Sequence, residues 1–166
     1  MDYYQLMFHN IIENNLDFEH IELLSDQSRF LQNDKLNHAV FERIRLEMTE
    51  HFHALFKNEE KIKVIFCVGY KHPYKRLNLR KYFSKYNSFK FSIHNNDLSD
   101  DCHQYEYVIP KRHLRLTKLI KDISYQDFRN ESSTFRKATI FSIITNLAED
   151  KFYYPYDDRG VVIYRK

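Results

Sequence analysis

Residues 61–70 read Lys61-Ile62-Lys63-Val64-Ile65-Phe66-Cys67-Val68-Gly69-Tyr70. The run is apolar and β-branched, and it is too short for an amphipathic helix, so it predicts a central strand. Just upstream, residues 35–58 hold the clearest helix. Leu36, Val40, Ile44, Met48, Phe52 and Phe56 recur every fourth position, and Phe41 and Leu55 widen the stripe. Asn33 or Asp34 can cap its start, and Asn58 follows its last apolar position. Downstream, 76–86 reads as a short basic helix. Residues 88–94 alternate, with Phe89, Phe91 and Ile93 on one face. Residues 103–109 alternate again, placing Tyr105, Tyr107 and Ile109 together before Pro110. Leu116, Leu119, Ile120 and Ile123 then take helical spacing within 113–123, with Arg115, Lys118 and Lys121 outward. Residues 138–145 form a buried strand. The tail reads as two strands joined by a turn at Asp157-Asp158-Arg159-Gly160. Helices set between late strands, without strict βαβ alternation, predict an α+β domain with a mainly antiparallel sheet packed against helices.

The chain has 166 residues, which suits one domain spanning 1–166 with a real core. Thirteen Tyr and fourteen Phe exclude a disordered chain, and two Gly argue against glycine-rich phosphate loops. Cys67 and Cys102 lie far apart without CxxC spacing, which points to reduced thiols and a cytoplasmic setting. No leader-like segment and no long apolar run is present, so neither a signal peptide nor a membrane span is expected.

Net charge is +3, but it is a cancellation. Residues 1–34 carry seven acids and a single base, Arg29; the rest therefore carries +9. Residues 61–96 contain nine Lys/Arg and no acid, densest over 70–86. There Tyr74, Lys75, Arg76, Arg80, Lys81 and Tyr82 mix cations with aromatics, as a surface that docks an acidic protein would. Phosphate neutralisation with base stacking would look similar, although a pI near 8.7 is low for a nucleic-acid domain. A solvated loop whose aromatics pack inward has the same composition.

The Asp157–Gly160 cluster is the most conspicuous polar feature. Paired carboxylates beside a guanidinium suit metal binding or acid–base work. A tight turn also accounts for them, because Asp and Gly tolerate positive φ and adjacent carboxylates tend to point apart. Convergence of Asp127, Asp157, Asp158 and a histidine would favour an enzyme. The nine histidines lack ligand spacing: His51 and His53 diverge on their helix, and His38, His72, His94, His103 and His113 are scattered. Cys67 reads as an inert core thiol. No catalytic residue, metal or cofactor is expected from these patterns.

Tyr125-Gln126-Asp127-Phe128, the apolar segment 138–145 and Tyr156-Asp157-Asp158-Arg159-Gly160 resemble the bacterial domain of unknown function 3885 family. Its members carry an NQDF-like motif after a helix, then an apolar strand, then a YDDRG-like turn. Here Tyr125 stands where Asn is common, and the second motif is intact. The motif region covers 113–164. The family motif residues are thus Gln126, Asp127, Phe128, Tyr156, Asp157, Asp158, Arg159 and Gly160, and Gln126 and Asp127 are placed to bridge that loop to Arg159. The resemblance implies no established activity. Some members are linked to Rhs-type toxin systems, which implies a non-enzymatic immunity protein that binds a cognate toxin. The alternative is nucleic-acid binding or processing through 70–86.

Overall fold

A computed structural model of the chain describes residues 18–24, 26–70, 77–84, 90–95, 102–128 and 138–166. The elements run β1 (Phe18–Glu22), α1 (His38–Leu55), β2 (Lys61–Tyr70), a 3-10 turn (Leu79–Tyr82), β3 (Lys90–Asn95), β4 (Cys102–Pro110), a second 3-10 turn (Lys111–His113), α2 (Leu116–Ser124), β5 (Ala138–Asn146), β6 (Lys151–Pro155) and β7 (Gly160–Arg165). The seven strands form one sheet in the order β1-β7-β6-β5-β2-β4-β3, every neighbouring pair antiparallel. The chain is thus an α+β domain built on an antiparallel sheet.

β2 is the interior strand its composition predicts, flanked by β4 and β5. Its even positions Ile62, Val64, Phe66 and Val68 are buried and lie opposite Ile109, Tyr107, Tyr105 and His103 in β4. The same register sets Val64 against Ile144 and Val68 against Ile140 of β5. A one-residue slip would turn this whole set out of the core, so the pattern holds the pairing in place.

Both helices cover that face. The α1 stripe Val40, Ile44, Met48, Phe52 and Phe56 is buried with Leu119, Ile120 and Ile123 of α2 in one core. Phe41 stacks on Tyr125 at 4.7 Å between ring centres. Tyr153 of β6 reaches across and donates its hydroxyl to the Met48 carbonyl at 2.7 Å. Burial holds this phenol neutral by raising its pKa well above the ordinary value. As predicted, Arg115, Lys118 and Lys121 face outward.

Four sequence expectations need correction. Neither Asn33 nor Asp34 caps α1: Asn37 holds that position without a side-chain bond. Asn33 instead accepts from the Lys35 N–H at 3.3 Å in a tight turn where Asp34 takes φ 59°. The basic helix over 76–86 is, where described, a single 3-10 turn. The sequence does not predict β1, because its two apolar residues, Phe18 and Ile21, are three positions apart and give this edge strand no period-two signal. Gly160, finally, has no positive φ. Phe89 and the side chains of Phe91 and Ile93 lie outside what is described.

Candidate functional site

The β6–β7 turn gathers side chains from three distant parts of the chain. Asp157 folds back on its own loop, accepting from the Arg159 backbone N–H and from Arg159 Nε, each at 2.7 Å. The second guanidinium arm, Nη2, bonds the same carboxylate. Asp158 is gripped by Arg29, whose Nε donates to Oδ2 at 2.8 Å. The other nitrogens of Arg29 donate to the carbonyls of Leu23 (2.8 Å), Leu24 (2.6 Å), Gln27 (2.8 Å) and Asp158 (3.1 Å). All of that planar fork is engaged.

Gln126 donates its amide to the Tyr156 carbonyl, and the Leu23 N–H donates to the Arg159 carbonyl at 2.8 Å. The hydroxyl of Tyr156 meets His20 Nε2 at 2.5 Å. The turn is therefore laced to β1, to the segment after it and to the end of α2. Gln126 does reach the loop, as its motif position suggests, but it holds Tyr156 rather than Arg159. Asp127 acts on Arg159 through its charge, adding to the pull of Asp157 that raises the guanidinium's pKa.

Asp157 and Asp158 do not point apart. Their carboxylate oxygens lie, with one of Asp127, within 4.8 Å of one another. Two arginines explain the departure from the sequence expectation, because each neutralises a carboxylate that would otherwise repel its neighbour. The spacing suits a cation bridged by oxygen ligands, yet Asp157 and Asp158 already face guanidinium groups. The group includes no histidine. Burial pushes the Asp158 carboxyl up, the Arg29 hydrogen bond draws it back, and the Asp157 charge raises it again.

Gly160 is required by crowding. A Cβ there would sit 2.5 Å from the main-chain oxygen of Ile21 in β1, and nearer still to the Tyr156 hydroxyl. Only hydrogen lets β1 lie against this end of β7.

Of the partner-binding candidates, Tyr74, Lys75 and Arg76 lie outside the described residues. Arg80 is exposed. Lys81 turns inward, its Nζ 2.5 Å from Asp122 and 4.7 Å from the centre of the Tyr82 ring. Tyr82 cannot be a surface anchor: it is fully buried, stacks 5.6 Å from Phe66 and donates its hydroxyl to Asp122 at 2.8 Å. Its place is taken by residues from another segment. The Arg115 N–H bonds the Tyr82 carbonyl and the Ser84 N–H bonds the His113 carbonyl, bringing the start of α2 beside the 3-10 turn. Arg112, Arg115, Lys118 and Lys121 are exposed there.

Histidines keep separate company. His38 meets the Tyr125 hydroxyl at 3.0 Å and His113 the Ser84 hydroxyl at 3.1 Å. Cys67 is buried, its thiol 4.0 Å from Gln104 Oε1. Two important residues escaped sequence reasoning. Arg45 is buried on α1, lies 5.5 Å above the Tyr125 ring and pairs with Glu42. Arg29 did leave a signal, as the single base among seven acids.

Fold and site together define an α+β domain whose C-terminal hairpin turn is clamped by arginine–carboxylate pairs. The chain belongs to the family described as "Domain of unknown function (DUF3885)", whose model matches residues 5–166. No curated protein and no solved structure matches it. Among the described residues, no helix is long and apolar enough to cross a membrane.

Proposed function

We propose that this chain is a non-enzymatic partner-binding protein, and specifically an immunity protein that neutralises a bacterial polymorphic toxin of the Rhs type. One observation carries the reading: the two carboxylates of the hairpin motif are committed to structure. Asp157 holds Arg159 and Asp158 holds Arg29. A carboxylate already bonded to a guanidinium is a poor general base, since the pair must break before it takes a proton. The motif then preserves a rigid scaffold, and rigid scaffolds suit binding by surface complementarity.

The exposed cations Arg80, Arg112, Arg115, Lys118 and Lys121 form the face to which an acidic toxin surface would dock in the cytoplasm. Co-expression with the product of the gene immediately upstream, where that gene encodes a secreted toxin, tests the proposal. Rescue from lethality, lost on reversing Arg112 and Arg115 to Glu, is the expected result; lethality unchanged by the wild-type chain would refute that pairing. The same cations also favour a second reading, a nucleic-acid-binding protein. Filter binding separates the two, because DNA or RNA affinity falling steeply with salt would support the second.

A further inference from the structure

The start of α2 borders an open groove of about 570 Å³, separate from the Asp157–Gly160 turn. Four cations line it, Lys111, Arg112, Arg115 and Lys118, with His53 of α1 beside them and no carboxylate among the lining residues. Lys111 is anchored: its Nζ donates to the carbonyls of Phe56 (2.5 Å) and Lys57 (3.4 Å), where α1 ends. Arg112, Arg115 and Lys118 are exposed and have no carboxylate partner among the described residues. Like charges gathered this closely repel in the free protein, and an anion relieves that repulsion.

The backbone adds to the field. No side chain caps the start of α2 and its first turn holds no acid, so the positive end of the helix opens unneutralised toward the cations. Guanidinium forks match the oxygens of a phosphate, and a phosphate carries more charge than a carboxylate to set against them. The volume is far larger than one phosphate needs and falls in the range of small-molecule sites. The exposed His53 ring and Thr117 supply wall for the remainder of such a molecule, over a floor of the buried Phe52, Leu114 and Leu116.

We propose that this groove binds a phosphate-bearing organic ligand of nucleotide size, with Arg112, Arg115 and Lys118 on the phosphate and the His53 ring against its body. The proposal goes beyond toxin binding and does not depend on it. It also differs from a glycine-rich phosphate loop, since the contacts come from side chains and a helix start.

Titration calorimetry of the full chain at low salt tests it, using ATP, AMP, adenosine, inorganic phosphate and a ten-nucleotide oligo-dT as probes. Saturable one-site binding of ATP or AMP is expected, with adenosine and inorganic phosphate each at least about tenfold weaker. Arg115→Ala and Lys118→Gln alter exposed positions and should weaken ATP by about tenfold each without lowering the melting temperature. Arg80→Ala, outside the groove lining, should leave ATP affinity within about twofold. The proposal is overturned by absent saturable binding of both nucleotides at millimolar concentration, or by adenosine binding as well as AMP. Oligo-dT binding more tightly than ATP, weakened equally by Arg80→Ala and Arg115→Ala, would overturn it too, because the face would then be a nucleic-acid track.

Discussion

Replacing Gly160 with alanine tests the clamp at its tightest point. The new Cβ would lie 2.5 Å from the Ile21 carbonyl oxygen, about 0.9 Å inside the 3.4 Å at which ordinary contact begins. The Tyr156 hydroxyl lies on the other side and is held by His20. Backbone strain contributes nothing, since φ is not positive at this residue. Relief therefore requires β1 to move, and among the described strands β1 pairs with β7 alone. Overpacking typically costs about 1–3 kcal/mol, and partial loss of the β1 ladder adds about 1 kcal/mol. The expected destabilisation is about 2–4 kcal/mol, or a fall of roughly 4–16 °C in Tm for a chain of this size. Urea unfolding followed by far-UV circular dichroism measures it, and hydrogen exchange should show the β1 amides losing protection first. Gly160→Asn supplies the control. Asparagine tolerates positive φ but is bulkier, so crowding makes it at least as damaging as alanine. A Gly160→Ala loss below about 0.5 kcal/mol, or Asn tolerated better than Ala, would refute the reasoning.

Arg29→Ala leaves Asp158 buried without its cation and frees four carbonyls, so urea unfolding should report a loss of about 3–5 kcal/mol. Arg45→Met should be neutral or stabilising by about 1 kcal/mol in the same assay, because Nη1 of Arg45 is buried without a hydrogen-bond partner and Met keeps the volume. Tyr153→Phe removes one buried hydroxyl and leaves the Met48 carbonyl short of a donor; a loss of about 1–3 kcal/mol in thermal unfolding is expected. Asp158 sets a pH dependence. Its folded-state pKa lies above the ordinary 3.8, so the folded chain binds that proton more tightly than the unfolded one. Its contribution is complete below 3.8 and is lost as pH rises through the raised value. Stability curves of wild type and Asp158→Asn across that window should differ in slope, the wild type falling relative to the variant as pH rises.

Much of this fold was legible because burial leaves a period. The stripe of α1 and the even positions of β2 are buried, and Ile109 with the half-buried Tyr105 and Tyr107 turns one face of β4 to the same core. The hairpin at 157–160 was legible from turn chemistry. β1 was not, since an edge strand needs little apolar pattern when its ladder is closed by main-chain bonds. The clamp was half legible. Motif residues marked the turn and its link to Gln126, but Arg29 lies 129 positions from Asp158 and no local rule joins them. Tyr82 shows the opposite failure: a tyrosine among cations looks superficial until the fold aims its hydroxyl at Asp122. Gly160 was noticed for the wrong reason, because close approach between strands cannot be read along one of them.

The position of β7 bears on how the molecule is made. The last described strand sits inside the sheet, between β6 and the earliest described strand, with Phe18 opposite Tyr164. While a ribosome is still making residue 150, β1 lacks the strand it pairs with in the folded sheet, and the fork of Arg29 waits for the Asp158 carboxylate. Joining β1 to β7 closes a long loop, an entropic cost met late in folding. The excess of like charge over residues 1–34 opposes their self-association until that partner is available.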